Sequence, residues 1–184
     1  MKTRTLEKIS DPFLSLGNIL ILIFSTALAV SLSPLFHILN LPVFAILPMH
    51  FLIFLMSFGF GWKNGLFLGL VAPLISFLTT GMPVLPIMIL MTIELASYGF
   101  FADFIAQSLN KKTGKFTLFY SFFSVFVALF AGKFLYLVGF AIISKSYAVF
   151  SLIKTAFAAG IISISVQLVL FSFLFFLKYK NSNG

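Results

Sequence analysis

Apolar stretches about as long as a lipid bilayer is thick follow one another along almost the whole chain. A helix needs roughly 20 apolar residues to cross the hydrocarbon core, because each residue advances it by about 1.5 Å. Of the 184 residues, 61% are hydrophobic and only 9% carry a charge. A soluble domain normally carries about 25% charged residues on its wet surface. The composition therefore excludes an ordinary soluble fold and predicts an all-α integral membrane protein.

Six spans with short connections use nearly all of the chain, so we predict one transmembrane domain over residues 1–184. Proline, glycine and polar residues mark the connections. The predicted spans cover residues 16–36, 43–60, 66–78, 84–109, 116–143 and 150–177. A tight hairpin at Gly61–Gly65 is predicted to join the second and third spans as antiparallel helices. The expected fold is a compact bundle of six transmembrane helices.

The basic residues are unevenly distributed between the two ends of this bundle. One side carries Lys2, Arg4, Lys8, Lys63, Lys111, Lys112, Lys115, Lys178 and Lys180. The other side carries Lys145 in its loops and Lys154 just inside the last span. By the positive-inside rule we expect both termini to be cytoplasmic. We predict a multi-pass protein of the cytoplasmic membrane. This distribution also argues against a nucleic-acid partner, which the net charge of +8 alone would suggest.

The basic start followed by an apolar run is also typical of a secretory signal. Glu7 and Asp11 interrupt the basic region, and no small-x-small cleavage pattern ends the run cleanly. We therefore predict that the first apolar run is a retained span.

The sequence lacks the residues that several kinds of catalytic and metal-binding site require. The chain has no cysteine, which excludes disulfides, thiol catalysis and thiolate metal sites. It has 2 histidines and 4 acidic residues, and no Walker-type phosphate loop or His-Glu-x-x-His motif. We therefore predict that the protein is not an enzyme and binds neither a metal nor a cofactor.

A few polar side chains fall inside the predicted spans, where ionisable groups are costly and usually face a cavity or a partner. Counting along the helices places Glu94 and Lys133 each about 15 Å below the outer face. Tyr98 shares a helix face with Glu94, and Tyr136 lies one turn above Lys133. The candidate ligand-binding residues are Asn40, Met49, His50, Met82, Pro83, Glu94, Tyr98, Lys133, Tyr136 and Gln167.

Two interpretations of Glu94 and Lys133 are compatible with the sequence. They form either a structural ion pair between two helices or part of an outward-facing cavity for a polar small molecule. His50 either binds the ligand or satisfies a carbonyl group. Asp103, near the cytoplasmic end, is expected to be solvated or to cap a helix, and we assign it no role.

Ser25, Ala29 and Ser33 repeat at four-residue spacing on the first span. Small residues at this spacing let another helix backbone approach closely. The neighbouring helix belongs either to this bundle or to a separate membrane protein that docks on this face.

An ordered set of short motifs resembles the substrate-binding S component of energy-coupling factor vitamin transporters. These motifs are Pro48-Met49-His50, Gly59-Phe60-Gly61-Trp62-Lys63-Asn64-Gly65 with Gly69 and Pro73, Gly81-Met82-Pro83 with Pro86, Glu94-Leu95-Ala96-Ser97-Tyr98-Gly99, and Gly160-Ile161-Ile162 with Gln167. The resemblance covers about residues 20–178.

The resemblance implies a six-helix subunit that captures a water-soluble vitamin or precursor from outside. Its partners would be a transmembrane coupling subunit and two cytoplasmic ATPase subunits. The small-residue face of the first span would dock the coupling subunit, with serine in place of alanine at Ser25 and Ser33. The outer connections around Asn40 and Gly81-Met82-Pro83 would form the gate.

A site with charges of both signs suits a zwitterion or hydroxy acid. Pantothenate-like and pyridoxine- or hydroxymethylpyrimidine-like ligands are therefore the candidates. Two other classes stay open. One is an autonomous proton-coupled transporter with Glu94 or His50 as relay, and the other is a structural membrane subunit without a ligand.

Overall fold

The described part of the chain is a bundle of helices. The structure, a computed structural model, describes residues 13, 15–39, 48–110, 117–143 and 164–178. Its helices are α1 (Leu16–Ile38), α2 (Pro48–Phe60), α3 (Trp62–Thr80), α4 (Ile87–Asn110), α5 (Thr117–Ile143) and α6 (Ile164–Lys178). These described residues contain no β-strand, which confirms the predicted all-α class for this part of the chain.

Three of these helices are long and apolar enough to cross a membrane. They cover Trp62–Thr80, Ile87–Leu109 and Leu118–Ile143, with mean hydropathies of 1.3, 1.5 and 2.2. Leu16–Leu32, Pro48–Phe60 and Ile164–Lys178 are shorter apolar stretches of helix. The membrane-like character expected from composition is thus present in the helices themselves.

The predicted turn between the second and third helices is wrong in extent. We expected it to occupy Gly61–Gly65, whereas α3 already begins at Trp62, so Gly61 alone separates the two helices. Gly61 has a φ of 90°, a conformation that residues with a side chain rarely adopt. The N–H of Trp62 donates to Asp103 Oδ2 at 3.1 Å. A glycine and a carboxylate from α4 therefore allow the chain to turn within one residue.

Other boundaries shift by a few residues. The predicted fourth span started at residue 84, but α4 starts at Ile87, just after Pro86. A residue that precedes proline is disfavoured in the helical conformation, so Pro83 and Pro86 delay the helix. α3 extends two residues past the predicted end, to Thr80, and Gly81 closes it in a left-handed conformation. The predicted starts of the second and sixth spans, residues 43–47 and 150–163, lie outside the described residues.

α4 is the central helix, packed against α2, α3 and α5. Its contact with α3 is backbone to backbone. A Cβ added at Gly69 would lie 2.5 Å from the carbonyl oxygen of Leu95, and one added at Gly65 would lie 2.9 Å from that of Gly99. Glycines on facing positions thus bring α3 and α4 closer than side chains would permit.

Asp103 ties three helices together at the end of the bundle where α3 begins. It is fully buried, and Lys178 Nζ on α6 approaches its Oδ1 to 2.8 Å. Gln107 donates to its Oδ2 at 2.6 Å, beside the bond from Trp62. The expectation that Asp103 is solvated is wrong, because neighbouring helices cover it. The alternative, a capping role, is correct, although the capped helix is α3 and not its own.

Candidate functional site

Glu94 is the centre of a polar cluster at the opposite end of α4 from Asp103. The two acids are nine residues apart, which corresponds to about 14 Å along the helix. One turn along α4, Tyr98 donates its hydroxyl hydrogen to Glu94 Oε1 at 2.5 Å. Both residues are buried. The four-residue spacing that placed them on one helix face therefore also places them in contact.

Lys133 on α5 is the charged partner of Glu94. Its Nζ lies 2.5 Å from Glu94 Oε1, and its side chain is 23% exposed against 3% for the acid. The ammonium also lies 5.7 Å from the ring centre of Tyr136, which is half-buried. In this pair Glu94 is buried, whereas Lys133 remains partly accessible from outside the protein.

Close packing of α5 on α4 brings Lys133 into reach. Gly132, the preceding residue, faces Tyr98, and a Cβ there would lie 2.7 Å from Tyr98 Cδ1 and 2.9 Å from the Glu94 carbonyl oxygen. Only a residue without a side chain fits this contact. Gly132 therefore sets the distance between the helices at which the Lys133 ammonium meets the carboxylate.

α2 contributes His50 from its first turn. His50 Nε2 lies 3.8 Å from Glu94 Oε1, and its ring centre is 5.6 Å from that of Tyr98. His50 and its neighbour Met49 are buried. The structure thus brings four of the predicted residues, from three helices, around one carboxylate oxygen: His50, Glu94, Tyr98 and Lys133.

An aromatic column behind Tyr98 was not predicted. Tyr98 stacks on Phe54 of α2 with ring centres 5.4 Å apart, and Phe54 stacks on Phe171 of α6 at 4.9 Å. Gln167 lies buried on α6, one turn from Phe171 toward the Glu94 end. Helix spacing is the signal that singles these two out among the 27 phenylalanines, because Phe54 follows His50 by four residues and Phe171 follows Gln167 by four residues.

The predicted gate residues lie apart from the cluster or outside the described residues. Met82 is 68% exposed in the connection between α3 and α4, and its carbonyl oxygen accepts a hydrogen bond from Ser76. Pro83 follows it, joined by a cis peptide bond. Asn40 lies outside the described residues. The connection starts at the end of α3 that faces away from Asp103, the same end as Glu94.

Two of the three small residues predicted on one face of α1 lie in the interior of the bundle. Ser25 and Ala29 are buried, and Ser25 Oγ donates to Met56 Sδ of α2 at 3.1 Å. The side chain of Ser33 lies outside the described part of the structure. Ser25 thus packs against this chain's own α2, and Ala29 lies inside the bundle. Docking of a separate protein on this face stays a prediction.

The cluster has the groups needed to bind a small polar molecule. Lys133 offers an ammonium donor, Glu94 an acceptor, and His50 either function, while Tyr98 and Tyr136 offer ring faces. The described residues include no group of three or more His, Cys, Asp or Glu side chains that could hold a metal ion. The four side chains themselves offer hydrogen bonding and charge pairing.

Comparison with known proteins adds nothing to these assignments. No protein-family model matches the sequence, and neither the characterised proteins nor the solved structures include a match.

Proposed function

We propose that the chain spans the cytoplasmic membrane six times, with both termini in the cytoplasm. The exposed face of α5 supports a location in the lipid bilayer. Its phenylalanines point away from the bundle, with Phe126 47%, Phe130 65% and Phe134 56% exposed. A continuous apolar face of this kind is unfavourable in water and suited to lipid. The end with Lys63, Lys178 and the Asp103 cluster is then the cytoplasmic end.

We further propose that the protein is the substrate-capture subunit of a vitamin importer of the energy-coupling factor type. The observation that carries this proposal is the Glu94 cluster. A buried carboxylate, a partly exposed ammonium and a histidine converge from three helices at the end assigned to the outside. Ionisable groups within a membrane bundle are usually functional.

Ligand binding would replace the Glu94–Lys133 ion pair by separate contacts of each residue with the ligand. A ligand carboxylate or ring oxygen would take the Lys133 ammonium, which is the accessible member of the pair. Glu94 would stay bonded to Tyr98 and accept hydrogen bonds from a hydroxyl or amine of the ligand. A pantothenate-like or pyridoxine-like molecule carries both kinds of group.

A capture subunit of this kind needs partners for transport. The sequence has no phosphate-binding loop of its own. The energy for transport would therefore come from the two ATPase subunits that the resemblance implies, through the transmembrane coupling subunit. The loop around Met82 and Pro83 would close over the ligand at the outer end.

An autonomous proton-coupled transporter is the second candidate. A histidine beside a buried carboxylate favours it, although the 3.8 Å between His50 Nε2 and Glu94 Oε1 is longer than a hydrogen bond, so a proton relay between them needs a closer approach or a bridging water. A structural subunit without a ligand is the third, since Glu94 and Lys133 already neutralise each other.

Binding and accumulation in proteoliposomes distinguish these functions. We expect labelled pantothenate, pyridoxine or hydroxymethylpyrimidine to bind at about one molecule per protein, with no dependence on a proton gradient. Accumulation beyond that ratio that collapses with the gradient would instead establish the proton-coupled transporter. No binding of any of the three would overturn the capture function in the form proposed.

A further inference from the structure

His50 is a second basic group beside a carboxylate that already has a cation. Glu94 Oε1 accepts from the Tyr98 hydroxyl and pairs with Lys133 Nζ, each at 2.5 Å. His50 Nε2 lies 3.8 Å from the same oxygen, which is beyond hydrogen-bonding distance but close enough for charges to attract each other where water is excluded. Glu94 and His50 are only 2% and 6% exposed. With Lys133 in place, the cluster is electrically neutral when His50 is uncharged.

Glu94 is the acid that His50 faces among the described residues. α2 packs against α1, α3, α4 and, through stacked rings, α6. From α4, His50 faces Glu94 and Tyr98, and α5 brings Lys133 and Tyr136 to the same carboxylate. The other titratable side chains of the helices packed on α2 lie at the opposite end of the bundle or, for His37, outside the described part of the structure: His37, Lys63, Asp103 and Lys178. The charge of His50 therefore depends on whether Lys133 neutralises Glu94.

Ligand capture, as proposed for this site, withdraws Lys133 from Glu94. The carboxylate is then buried with the Tyr98 hydroxyl as its remaining described donor, and a buried charge without a counter-charge is costly. A ligand with an amine replaces the lost cation, whereas a ligand with a carboxylate and hydroxyl groups does not. His50 is the described group beside Glu94 that can become a cation, by taking up a proton. The Tyr98 hydroxyl stabilises the ionised form of Glu94 and so favours the proton on the imidazole.

We propose that His50 is the proton-binding residue of this cluster, and that it takes up one proton when Lys133 leaves Glu94. A carboxylate ligand without a cation of its own therefore binds together with a proton. The proton comes from the solvent and forms an N–H bond at the unprotonated ring nitrogen, and no other bond changes. His50 offsets part of the lost pairing, because Nε2 is farther from Oε1 than Lys133 Nζ is. The link to a ligand rests on the proposed capture function, whereas the response of His50 to the loss of Lys133 does not.

¹⁵N NMR of the two histidines in detergent tests this response without a ligand, because the ring nitrogens of imidazole and imidazolium differ in chemical shift. Free histidine loses its proton at about pH 6.5, so at pH 7.5 His50 should be mostly uncharged in wild type. It should be mostly protonated in Lys133→Met and uncharged again in Glu94→Gln/Lys133→Met. Lys178→Met is the matched control, because it removes the cation of the other buried acid, about 14 Å along α4, and should leave His50 uncharged. His37→Gln assigns the two signals.

An uncharged His50 in folded Lys133→Met would overturn the proposal. If this variant is too unstable for NMR, thermal unfolding decides. The folded state would bind a proton that the unfolded state binds only below about pH 6.5, so the loss in unfolding temperature relative to wild type should shrink from pH 8 to pH 6. His50→Gln/Lys133→Met should show no such recovery. An equal recovery in that double variant would place the proton on Glu94 and overturn the assignment to His50.

Calorimetric titration with pantothenate in two buffers of different ionisation heat then measures the protons taken up with the ligand. We expect about one proton per bound pantothenate at pH 7.5 in wild type and none in His50→Gln. Binding of pantothenate to wild type without proton uptake would overturn the link between ligand and proton. If pantothenate, pyridoxine and hydroxymethylpyrimidine all fail to bind, the capture function is contradicted, whereas the state of His50 in Lys133→Met still decides the proton site.

Discussion

Adding one methyl group at Gly69 is expected to destabilise the folded protein by about 3 kcal/mol or more. In Gly69→Ala the new Cβ would lie 2.5 Å from the Leu95 carbonyl oxygen and 2.6 Å from the Ala96 nitrogen. Both are backbone atoms of α4, which cannot turn aside as a side chain would. α3 would have to move away from the central helix, and the yield of folded protein in detergent should fall sharply.

Gly59→Ala is the matched control for this prediction. A Cβ at Gly59, in α2, meets no atom within 4 Å. Alanine is a better helix former than glycine by about 1 kcal/mol, so this variant should be as stable as wild type or slightly more stable. Thermal unfolding of the three proteins in the same detergent makes the comparison. Equal unfolding temperatures for Gly69→Ala and Gly59→Ala would contradict the close α3–α4 crossing.

Removing Lys133 is expected to destabilise the protein more than removing the charge of Glu94. Lys133→Met leaves a buried carboxylate without its cation, which costs about 3–5 kcal/mol. Glu94→Gln leaves an ammonium that is 23% exposed and able to extend toward water, so its cost should be about 1–2 kcal/mol. The glutamine oxygen still accepts the Tyr98 hydroxyl.

The double variant Glu94→Gln/Lys133→Met should be about as stable as Glu94→Gln alone, because no buried charge remains unpaired. The four proteins form a double-mutant cycle that is measured by thermal unfolding in detergent. If the losses from the two single changes simply add, Glu94 and Lys133 do not interact in the folded protein, and the geometry of the cluster is wrong.

The helical class and most of the cluster could be predicted from the sequence. Apolar length is sufficient to place helices, and counting residues from their ends put Glu94 and Lys133 at similar depths. The spacing of Glu94 and Tyr98 fixed their shared face, since helix periodicity is a local property. Polar residues are few in this apolar chain, so those inside the predicted spans were readily identified as candidate site residues.

Rotation of the helices about their axes could not be predicted. Where most of a helix surface is apolar, hydrophobicity alone does not tell which face is inside, so the Phe54–Phe171 stack was missed although Phe54 shares a face with His50 and Phe171 with Gln167. For the same reason, the sequence could not decide whether Ser25 and Ala29 pack inside the bundle or form a docking face. The one-residue turn at Gly61 depends on Asp103, which is 41 residues from Trp62, and no local signal reports such a distant contact.

The most direct test of the capture function is mass spectrometry of small molecules released when the purified protein is denatured. Wild type should release a vitamin or precursor bearing a carboxylate or hydroxyl group at nearly one molecule per protein. The double variant Glu94→Gln/Lys133→Met, which should stay folded, should release at least about tenfold less, because a tenfold change corresponds to only about 1.4 kcal/mol of binding free energy. A wild-type protein that releases nothing, and whose unfolding temperature no vitamin raises, would contradict the account and leave the cluster as an ion pair that joins α4 to α5.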